Sequence, residues 1–338
     1  MKYDIITMGS ATIDTFVDTN IAERENRISY PVGAKLTVEN LQFFIGGGGT
    51  NTAVSFARLG LKTAYLGNIG DHFKKDIIDL LKKEKIKFVG KITDDMNDYS
   101  IILDTKEHNR TILTYKGANN KMTTKDIDLT KLKTRWFYFC SMMGHAFKTQ
   151  IKLSDFAKKN NINLAFNPSF YQIKEHRNEL GRIIKNTKML IFNKEEAIGL
   201  VLGIDSKENP EKAGKFYDKN SRKNMIDLMK KIRHMGPDIV CITDGKHTTY
   251  TYDGNILYEF EPHAQIKALE RTGAGDAFAS TLVAAIANNK PLDFALHMAT
   301  INSESVIQNY GAKDILLTWD EALKQMKKYP LKIRKSRV

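Results

Sequence analysis

Residues 273–279 combine small side chains with one carboxylate in a pattern suited to phosphoryl chemistry. Gly273, Ala274 and Gly275 precede a predicted helix, so their backbone N–H groups would point at one spot, with the positive end of the helix dipole behind them. Asp276 follows directly. A carboxylate beside an anion site suits a general base that takes a proton from a hydroxyl group attacking a bound phosphoryl group. The alternative is structural, with Asp276 only stabilising the first turn of the helix.

A second glycine-rich loop occupies residues 46–49, where four consecutive glycines stand before Thr50 and Asn51, between a predicted strand and a predicted helix. Glycine lets the backbone come close to a ligand, and the helix N-terminus offers free N–H groups. These features favour ligand contact over a plain strand-to-helix turn. The dinucleotide and P-loop patterns do not fit, because Thr52 stands where a third glycine is needed and no Gly-Lys pair precedes Ser or Thr.

The elements that must position these loops alternate between strand and helix. Such alternation predicts an α/β fold with a central, mostly parallel sheet flanked by helices. Strands are predicted at 2–8, 63–66, 137–140, 163–166, 189–192 and 238–243. Helices are predicted at 50–59, 73–85, 151–159, 176–185, 221–234, 274–288, 291–308 and 319–329.

Four strand-like segments interrupt this alternation, at 14–19, 35–44, 99–104 and 110–115, with a predicted turn at 107–109 between the last two. They predict a small antiparallel sheet, inserted within about 14–44 and 99–115, that serves as a lid or an interface. No repeat or Pro/Gly linker divides the rest, so residues 1–330 are predicted to form one domain.

Composition narrows the class of protein. The chain has 338 residues, 42% of them apolar, and a formal charge of 52 − 39 = +13, which suit a globular protein rather than a disordered one. Two cysteines exclude a disulfide scaffold. No apolar run approaches the ~18 residues that span a bilayer. The sequence therefore predicts a soluble cytoplasmic protein that does not bind membranes.

The C-terminus is strongly basic, since seven Lys and Arg residues and no acid follow Glu321. A basic tail can bind nucleic acid, which would make affinity fall steeply with salt. No recognised nucleic-acid module or interleaved aromatic residues accompany the charge. Residues 331–338 are therefore predicted to be a solvated, partly frayed tail, and nucleic acid is not an expected partner.

Taken together, the two loops resemble the signature segments of the ribokinase-like (PfkB) family of carbohydrate and nucleoside kinases. The resemblance runs in register from Gly9 to Ala312. Each shorter match is weak alone, and the set is specific because its order and spacing agree. The supporting segments are Gly9-Ser10 with Asp14, Gly67-x-x-Gly70-Asp71, Arg110-Thr111 before Gly117-Ala118-Asn119, Asn167-Pro168, Asn193-x-x-Glu196, Thr243-x-Gly245 and Gly311-Ala312.

The resemblance implies a role for each matching residue. Asp276 would be the general base, with the amides of Gly273, Ala274 and Gly275 stabilising the transferring phosphoryl group. The implied substrate-binding residues are Asp14, Gly47, Gly48, Asn51 and Asn167. The implied nucleotide-binding residues are Asn193, Thr243, Gly245, Arg271 and Asn302. Glu196 would organise Mg²⁺ through water, and ATP would be the phosphoryl donor.

One departure from the family pattern lies directly before the second loop. Glu270-Arg271 stands where the family usually has Asp-Thr. This counts against a monovalent-cation site, which that segment helps to form in many members. Arg271 then has two interpretations, as a positive charge near the phosphates or as a solvent-facing arginine.

The predicted function is ATP-dependent, Mg²⁺-assisted phosphorylation of a hydroxyl group on a sugar or a sugar-containing small molecule. A nucleoside kinase of the same fold is the alternative within the family. A non-catalytic binding protein is the alternative outside it, although binding alone does not need a base at Asp276. A homodimer formed through the lid is a further expectation.

Overall fold

The computed structural model describes residues 2–19, 21–23, 25, 27–106, 110–203, 205, 210–216, 221–266, 269, 271–308, 311–313 and 315–338. The predicted turn at 107–109 and Glu270 lie outside these residues. The helices of the described part are α1 (Gly48–Arg58), α2 (Lys74–Lys83), α3 (Gly144–Lys159), α4 (Phe170–Ile184), α5 (Lys194–Leu202), α6 (Pro210–Gly214), α7 (Ser221–His234), α8 (Ala274–Ala287), α9 (Leu292–Val306) and α10 (Trp319–Lys328).

Most strands of the described residues fall where the sequence predicts them. They are β1 (Tyr3–Met8), β2 (Thr12–Asp18), β3 (Asn40–Gly46), β4 (Thr63–Leu66), β5 (Asn68–Ile69), β6 (Lys87–Phe88), β7 (Lys91–Ile92), β8 (Asp98–Asp104), β9 (Arg110–Tyr115), β10 (Thr134–Cys140), β11 (Asn163–Asn167), β12 (Met189–Asn193), β13 (Ile239–Thr243), β14 (Thr249–Tyr252), β15 (Ile256–Phe260) and β16 (Arg334–Arg337).

Across the described ranges, ten strands form the main sheet, in the order β16-β15-β14-β13-β12-β11-β10-β1-β4-β6. Neighbours from β6 to β13 are parallel, and those from β13 to β16 are antiparallel. The parallel strands are apolar on both faces: in β10 every residue except Arg135 is buried. Helices cover both faces, as parallel connections require. The predicted α/β class is confirmed.

Two apolar layers enclose this sheet. On one side α3, α4, α5 and α7 pack over Phe137, Phe139 and Phe166. On the other side α8 and α9 pack with α1 over Ile5 and Tyr138. Helix α8 is rich in alanine and almost wholly buried after its first turn, so it approaches the sheet closely. This packing fixes the start of α8 beside the carboxyl ends of the strands.

A separate four-stranded sheet, in the order β3-β2-β8-β9, forms the lid. Its outer pairs are antiparallel, as predicted, whereas β2 and β8 are parallel because the chain crosses the main sheet between them. Strand β3 begins at Asn40 rather than at the predicted Lys35. Asp18, at the end of β2, pairs with Asn40, so residues before Asn40 have no strand partner across the sheet.

The register of the lid strands decides which side chains share a face. Asp14 and Ser100 lie on one face together with Phe16 and Phe44. The opposite face carries exposed apolar side chains, which we call the outer lid face: Leu41, Phe43, Ile101, Leu113 and Tyr115.

The basic C-terminus differs from the prediction. Residues 331–338 are expected to fray, but Arg334–Arg337 forms β16 and pairs antiparallel with β15. Lys335 forms an ion pair with Asp293 at 2.6 Å. Charged side chains on an edge strand discourage pairing with another chain, which gives the basic residues a structural explanation. No helix in the part of the chain that the structure describes is long and apolar enough to cross a membrane.

Candidate active site

A cleft of about 440 Å³ opens along the carboxyl edge of the main sheet. Parallel strands end together there, because Cys140 is in register with Asn167 and Asn193 with Thr243. Ligands of open α/β sheets bind at this edge. The cleft is lined by the chain that follows β1, β10, β11 and β12, by the lid and by the start of α8. The lining residues include Ser10, Gly48, Asp98, Lys116, Asn119, Asn167, Asn193, Glu196, Thr243, Gly273, Gly275 and Asp276.

The start of α8 forms one wall. Gly273 caps the helix in the left-handed region, with φ 83°, and a Cβ on it would lie 2.4 Å from the Cβ of Ala312. Gly275 differs, since a Cβ on it would meet no atom within 4 Å. The predicted anion site needs one correction, because the Ala274 N–H donates to the Arg271 carbonyl at 3.3 Å. The amides of Gly275 and Asp276 lie in the first turn, where a helix offers no acceptor.

Asp276 stands at the inner end of the cleft. Its Oδ2 accepts a hydrogen bond from Asn51 Nδ2 at 2.8 Å. Burial raises the pKa of Asp276, while the Asn51 bond and the positive charge of Lys313 oppose that rise. A carboxylate that is fixed in direction and more basic than usual is what a general base requires.

Asn51 contacts Asp276 through its amide nitrogen. It is predicted to bind substrate, but its Nδ2 is occupied by Asp276, and its Oδ1 is buried without a partner among the described residues. A buried unpaired oxygen is costly. Asn51 therefore orients Asp276 and keeps one acceptor for a group that enters the site.

Asp14 lies behind the first glycine loop. It is 7% exposed, and burial raises its pKa to about 6. Lys313, a hydrogen bond from Ser100 and the charge of Lys116 lower this pKa, whereas the negative charge of Asp276 raises it. Asp14 and Asp276 are therefore close enough to influence each other, as two groups in one site.

The first glycine loop is packed mainly against protein. A Cβ on Gly47 would lie 2.5 Å from the Ser10 carbonyl oxygen, and one on Gly49 would lie 2.5 Å from the Gly9 carbonyl carbon. Gly48 lines the cleft, and a Cβ there would lie 3.5 Å from Asp276 Oδ1. Of the glycines in this loop, Gly48 is therefore the one that can contact a ligand in the cleft. Gly47 forms a tight turn.

The cleft also contains polar residues that the sequence analysis does not select. Asp98 is 2% exposed, and its Oδ1 accepts the Gly117 N–H at 2.9 Å. Burial raises its pKa, and Lys116 and bonds from Gly117 and Asn119 oppose the rise. The available signal was the polar pair Asn97-Asp98 at the start of a strand.

Asn193 and Glu196 form a capping box at the start of α5. Asn193 Oδ1 accepts the Glu196 N–H, and Glu196 Oε2 accepts the Asn193 N–H, both at 2.8 Å. Burial raises the pKa of Glu196 to about 7, with Glu195 adding to the rise. Glu196 is half-buried, and a carboxylate oxygen is the kind of ligand that Mg²⁺ prefers, so this residue fits a magnesium ion bound through water. The described residues hold no cluster of three His, Cys, Asp or Glu side chains that could bind a metal ion.

Only some of the other predicted site residues line the cleft. Two that do are Thr243, predicted to bind nucleotide, and Asn167, predicted to bind substrate. Gly245 follows β13 in a left-handed turn with φ 56°, outside the cleft lining. Arg271 is exposed, two residues before Gly273, and its charge contributes to lowering the pKa of Arg110 in the lid.

Asn302 requires a correction. It is 0% exposed, its Nδ2 donates to Thr281 Oγ1 at 2.7 Å, and its Oδ1 accepts the Leu317 N–H at 2.9 Å. Both ends of the amide are used within the protein. Asn302 therefore joins α8, α9 and the chain before α10, and it does not line the cleft.

Comparison with known proteins agrees with this geometry. A family model described as pfkB family carbohydrate kinase matches residues 5–319. The chain belongs to this family. As a pfkB carbohydrate kinase it is a phosphotransferase that acts on an alcohol group, and the predicted family and enzyme class are confirmed.

Individual relatives are distant but match nearly the whole chain. A 5-dehydro-2-deoxygluconokinase of Clostridium perfringens is 26% identical, over 96% of this chain and 92% of the relative. The nucleoside kinase structure of Methanocaldococcus jannaschii has a TM-score of 0.76 at 19% identity, covering 96% of this chain and 99% of that one. The ribokinase of Cryptococcus neoformans in complex with ADP has a TM-score of 0.75 at 21% identity, covering 95% and 99%. The ribokinase-like fold is confirmed.

Proposed function

We propose that this pfkB family kinase transfers a phosphoryl group from ATP to a hydroxyl group of a sugar or a sugar-containing small molecule, with Asp276 as general base. The observation that carries the proposal is the placement of Asp276. Its carboxylate stands where the first-turn amides of α8 meet the cleft, oriented by Asn51 at 2.8 Å. A binding site for anions alone would gain nothing from a buried carboxylate at that position.

On the acceptor side, Asp276 takes the proton of the attacking hydroxyl group. Its raised pKa makes it a stronger base than a solvated aspartate. Asp14 and the unpaired Oδ1 of Asn51 accept hydrogen bonds from other hydroxyl groups of the sugar. These contacts hold the reacting oxygen in line with the phosphoryl group.

On the donor side, the amides of Gly275 and Asp276 stabilise the charge of the transferring phosphoryl group, with the dipole of α8 behind them. Asn193 and Thr243 line the path of the nucleotide phosphates, and Arg271 adds positive charge at its edge. Mg²⁺, when bound, neutralises phosphate charge. Glu196 would hold this ion through water.

The outer lid face supports a homodimer. Phe43, Leu113 and Tyr115 are each 52% exposed on that face, an apolar patch that a second copy of the lid would cover. Sedimentation at micromolar concentration should give twice the monomer mass, and Phe43→Ser with Leu113→Ser should give the monomer. A monomer in the unaltered protein contradicts this part of the proposal.

A coupled ADP-release screen with Mg·ATP tests the function and names the substrate. Pentoses, hexoses, sugar phosphates and nucleosides are offered in turn, and the product is analysed for a new phosphate ester. We expect acceptor-dependent ADP release with one group of sugars. Release with nucleosides alone would favour the nucleoside kinase. Binding of an acceptor with no ADP release above the acceptor-free rate would favour a non-catalytic binding protein.

A further inference from the structure

Lys313 is a buried cation next to the reacting groups. It follows Gly311-Ala312 in the loop between α9 and α10, and only 6% of it is exposed. Taking an ammonium group out of water costs several kcal/mol unless charges or hydrogen bonds compensate. Its position therefore calls for an explanation in terms of its neighbours.

The hydrogen bonds of Lys313 join separate parts of the site. Its Nζ donates to the carbonyl of Ile45, in lid strand β3. Its own carbonyl accepts from Arg58 Nη1, at the end of α1, at 2.8 Å. The preceding Ala312 packs directly against Gly273 at the start of α8. Lys313 is therefore fixed between the lid, α1 and the anion-binding turn.

The charge of Lys313 acts on both acids of the proposed acceptor site. It lowers the pKa of Asp14 and of Asp276, opposing the burial that raises both. Asp14 also faces Asp276, Lys116 and the Ser100 hydroxyl, and the negative charge of Asp276 raises the pKa values of Cys140 and Tyr138. The second cavity beside Lys313 carries Arg58, Asp76, Lys83 and Glu84.

We propose that Lys313 is a positioning residue for phosphoryl transfer: its buried ammonium group keeps Asp14 and Asp276 charged, and its bond to Ile45 ties the lid strand to the base. The inference rests on the proposed function of Asp276. The kinase thus carries a fixed cation of its own, whose charge favours the ionised form of both Asp14 and Asp276. A lysine with a merely structural role would stabilise the loop without changing how these acids titrate.

The test measures the titration of the acids in the free protein. Carboxyl carbons of ¹³C-labelled aspartate are followed by NMR from pH 4 to 9 and assigned with Asp14→Asn and Asp276→Asn. Lys313→Met should move the titration of both acids upward by about one pH unit or more, because an adjacent opposite charge has about that effect. Lys313→Arg should restore the unaltered values. Lys83→Met removes an exposed lysine from the same cavity and should leave them unchanged.

The same variants give a rate profile with the acceptor found in the ADP screen. The acid limb of kcat/KM should move upward in Lys313→Met by about the same interval, so activity falls about tenfold near the limb and recovers at high pH. An equal loss at every pH, or unmoved aspartate titrations, would overturn the proposal. Lys313→Gln, which keeps a donor but no charge, replaces Lys313→Met if the latter does not fold. Full activity in Asp276→Asn would defeat the proposed function instead, whatever the titrations show.

Discussion

The two glycine loops, 46–49 and 273–275, both run into the first turn of a helix, but different atoms surround them. A Cβ on Gly47 or Gly49 would collide with the backbone of residues 9–12, which β1 and β2 hold in place. A Cβ on Gly275 would enter open space in the cleft. Glycine therefore serves protein packing in most of the first loop and ligand approach at one position of the second.

This difference teaches that glycine-rich sequence does not by itself distinguish a tight turn from a ligand site. The distinguishing quantity is the space left for a side chain. Substituting the same methyl group at matched positions should therefore separate loss of folding from loss of activity.

The largest effect is expected for Gly49→Ala. The added methyl would lie 2.5 Å from the Gly9 carbonyl carbon, and backbone cannot rotate away as a side chain can. We expect the free energy of unfolding to fall by about 3 kcal/mol, the upper part of the range for overpacking, measured by urea denaturation. A loss below about 0.5 kcal/mol would mean that the loop can accommodate a methyl group at position 49.

Gly275→Ala should have the opposite signature. Alanine suits a helix better than glycine, so the melting temperature should not fall. The methyl would occupy the cleft, and kcat/KM should drop by about 100-fold, the cost of misplacing reacting groups by about 1 Å. Unchanged kcat/KM would show that the phosphoryl group passes elsewhere.

Gly46→Ala sharpens the comparison within the first loop. Its methyl would meet Asp14 Oδ2 at 1.7 Å, and this carboxylate belongs to a side chain that can move. The fold should survive, while acceptor affinity, measured by calorimetry, should weaken by roughly tenfold because one charge-assisted hydrogen bond is misplaced. Gly181→Ala is a suitable control, because Gly181 lies in α4 and a Cβ there would meet open space. Gly60→Ala is not, because φ at Gly60 is 85°, which strains any residue other than glycine.

The smallest effect concerns Glu196, at the donor end. Its pKa of about 7 leaves it roughly half protonated at pH 7, and a bound cation favours the charged form. Binding of Mg·ATP should therefore release roughly half a proton at pH 7, more at pH 6.5 and less at pH 8. Calorimetry in two buffers of different ionisation enthalpy measures this. Glu196→Gln should abolish the difference between the binding enthalpies in the two buffers. If the variant releases as many protons as the unaltered kinase, another group is responsible.

The parallel strands of the main sheet could be predicted because a strand that is buried on both faces has a continuous run of apolar residues. The hairpin β14–β15 was missed because Thr249–Tyr252 alternates Thr with Tyr and has no clear apolar run. Helix α5 was missed although its capping box was visible as Asn193-x-x-Glu196, which was interpreted only as a magnesium motif.

A local motif selects Asp276, and the structure places this residue in the lining of the cleft. Lys313 could not be selected, because its significance arises only when the lid and the loop after α9 meet near Asp276. Asn302 lies outside the cleft lining, since its position on a buried face of α9 depends on helix packing that spacing does not reveal.

The comparison of Asp276→Asn with the unaltered kinase tests the central claim most directly. Asparagine keeps the shape and can still bond Asn51, but it cannot take a proton. With the accepted sugar and Mg·ATP, we expect kcat to fall by roughly 10²–10⁴, the usual scale for loss of a general base, while calorimetry shows both ligands binding within a few-fold of normal. Turnover within a few-fold of the unaltered kinase would contradict the account.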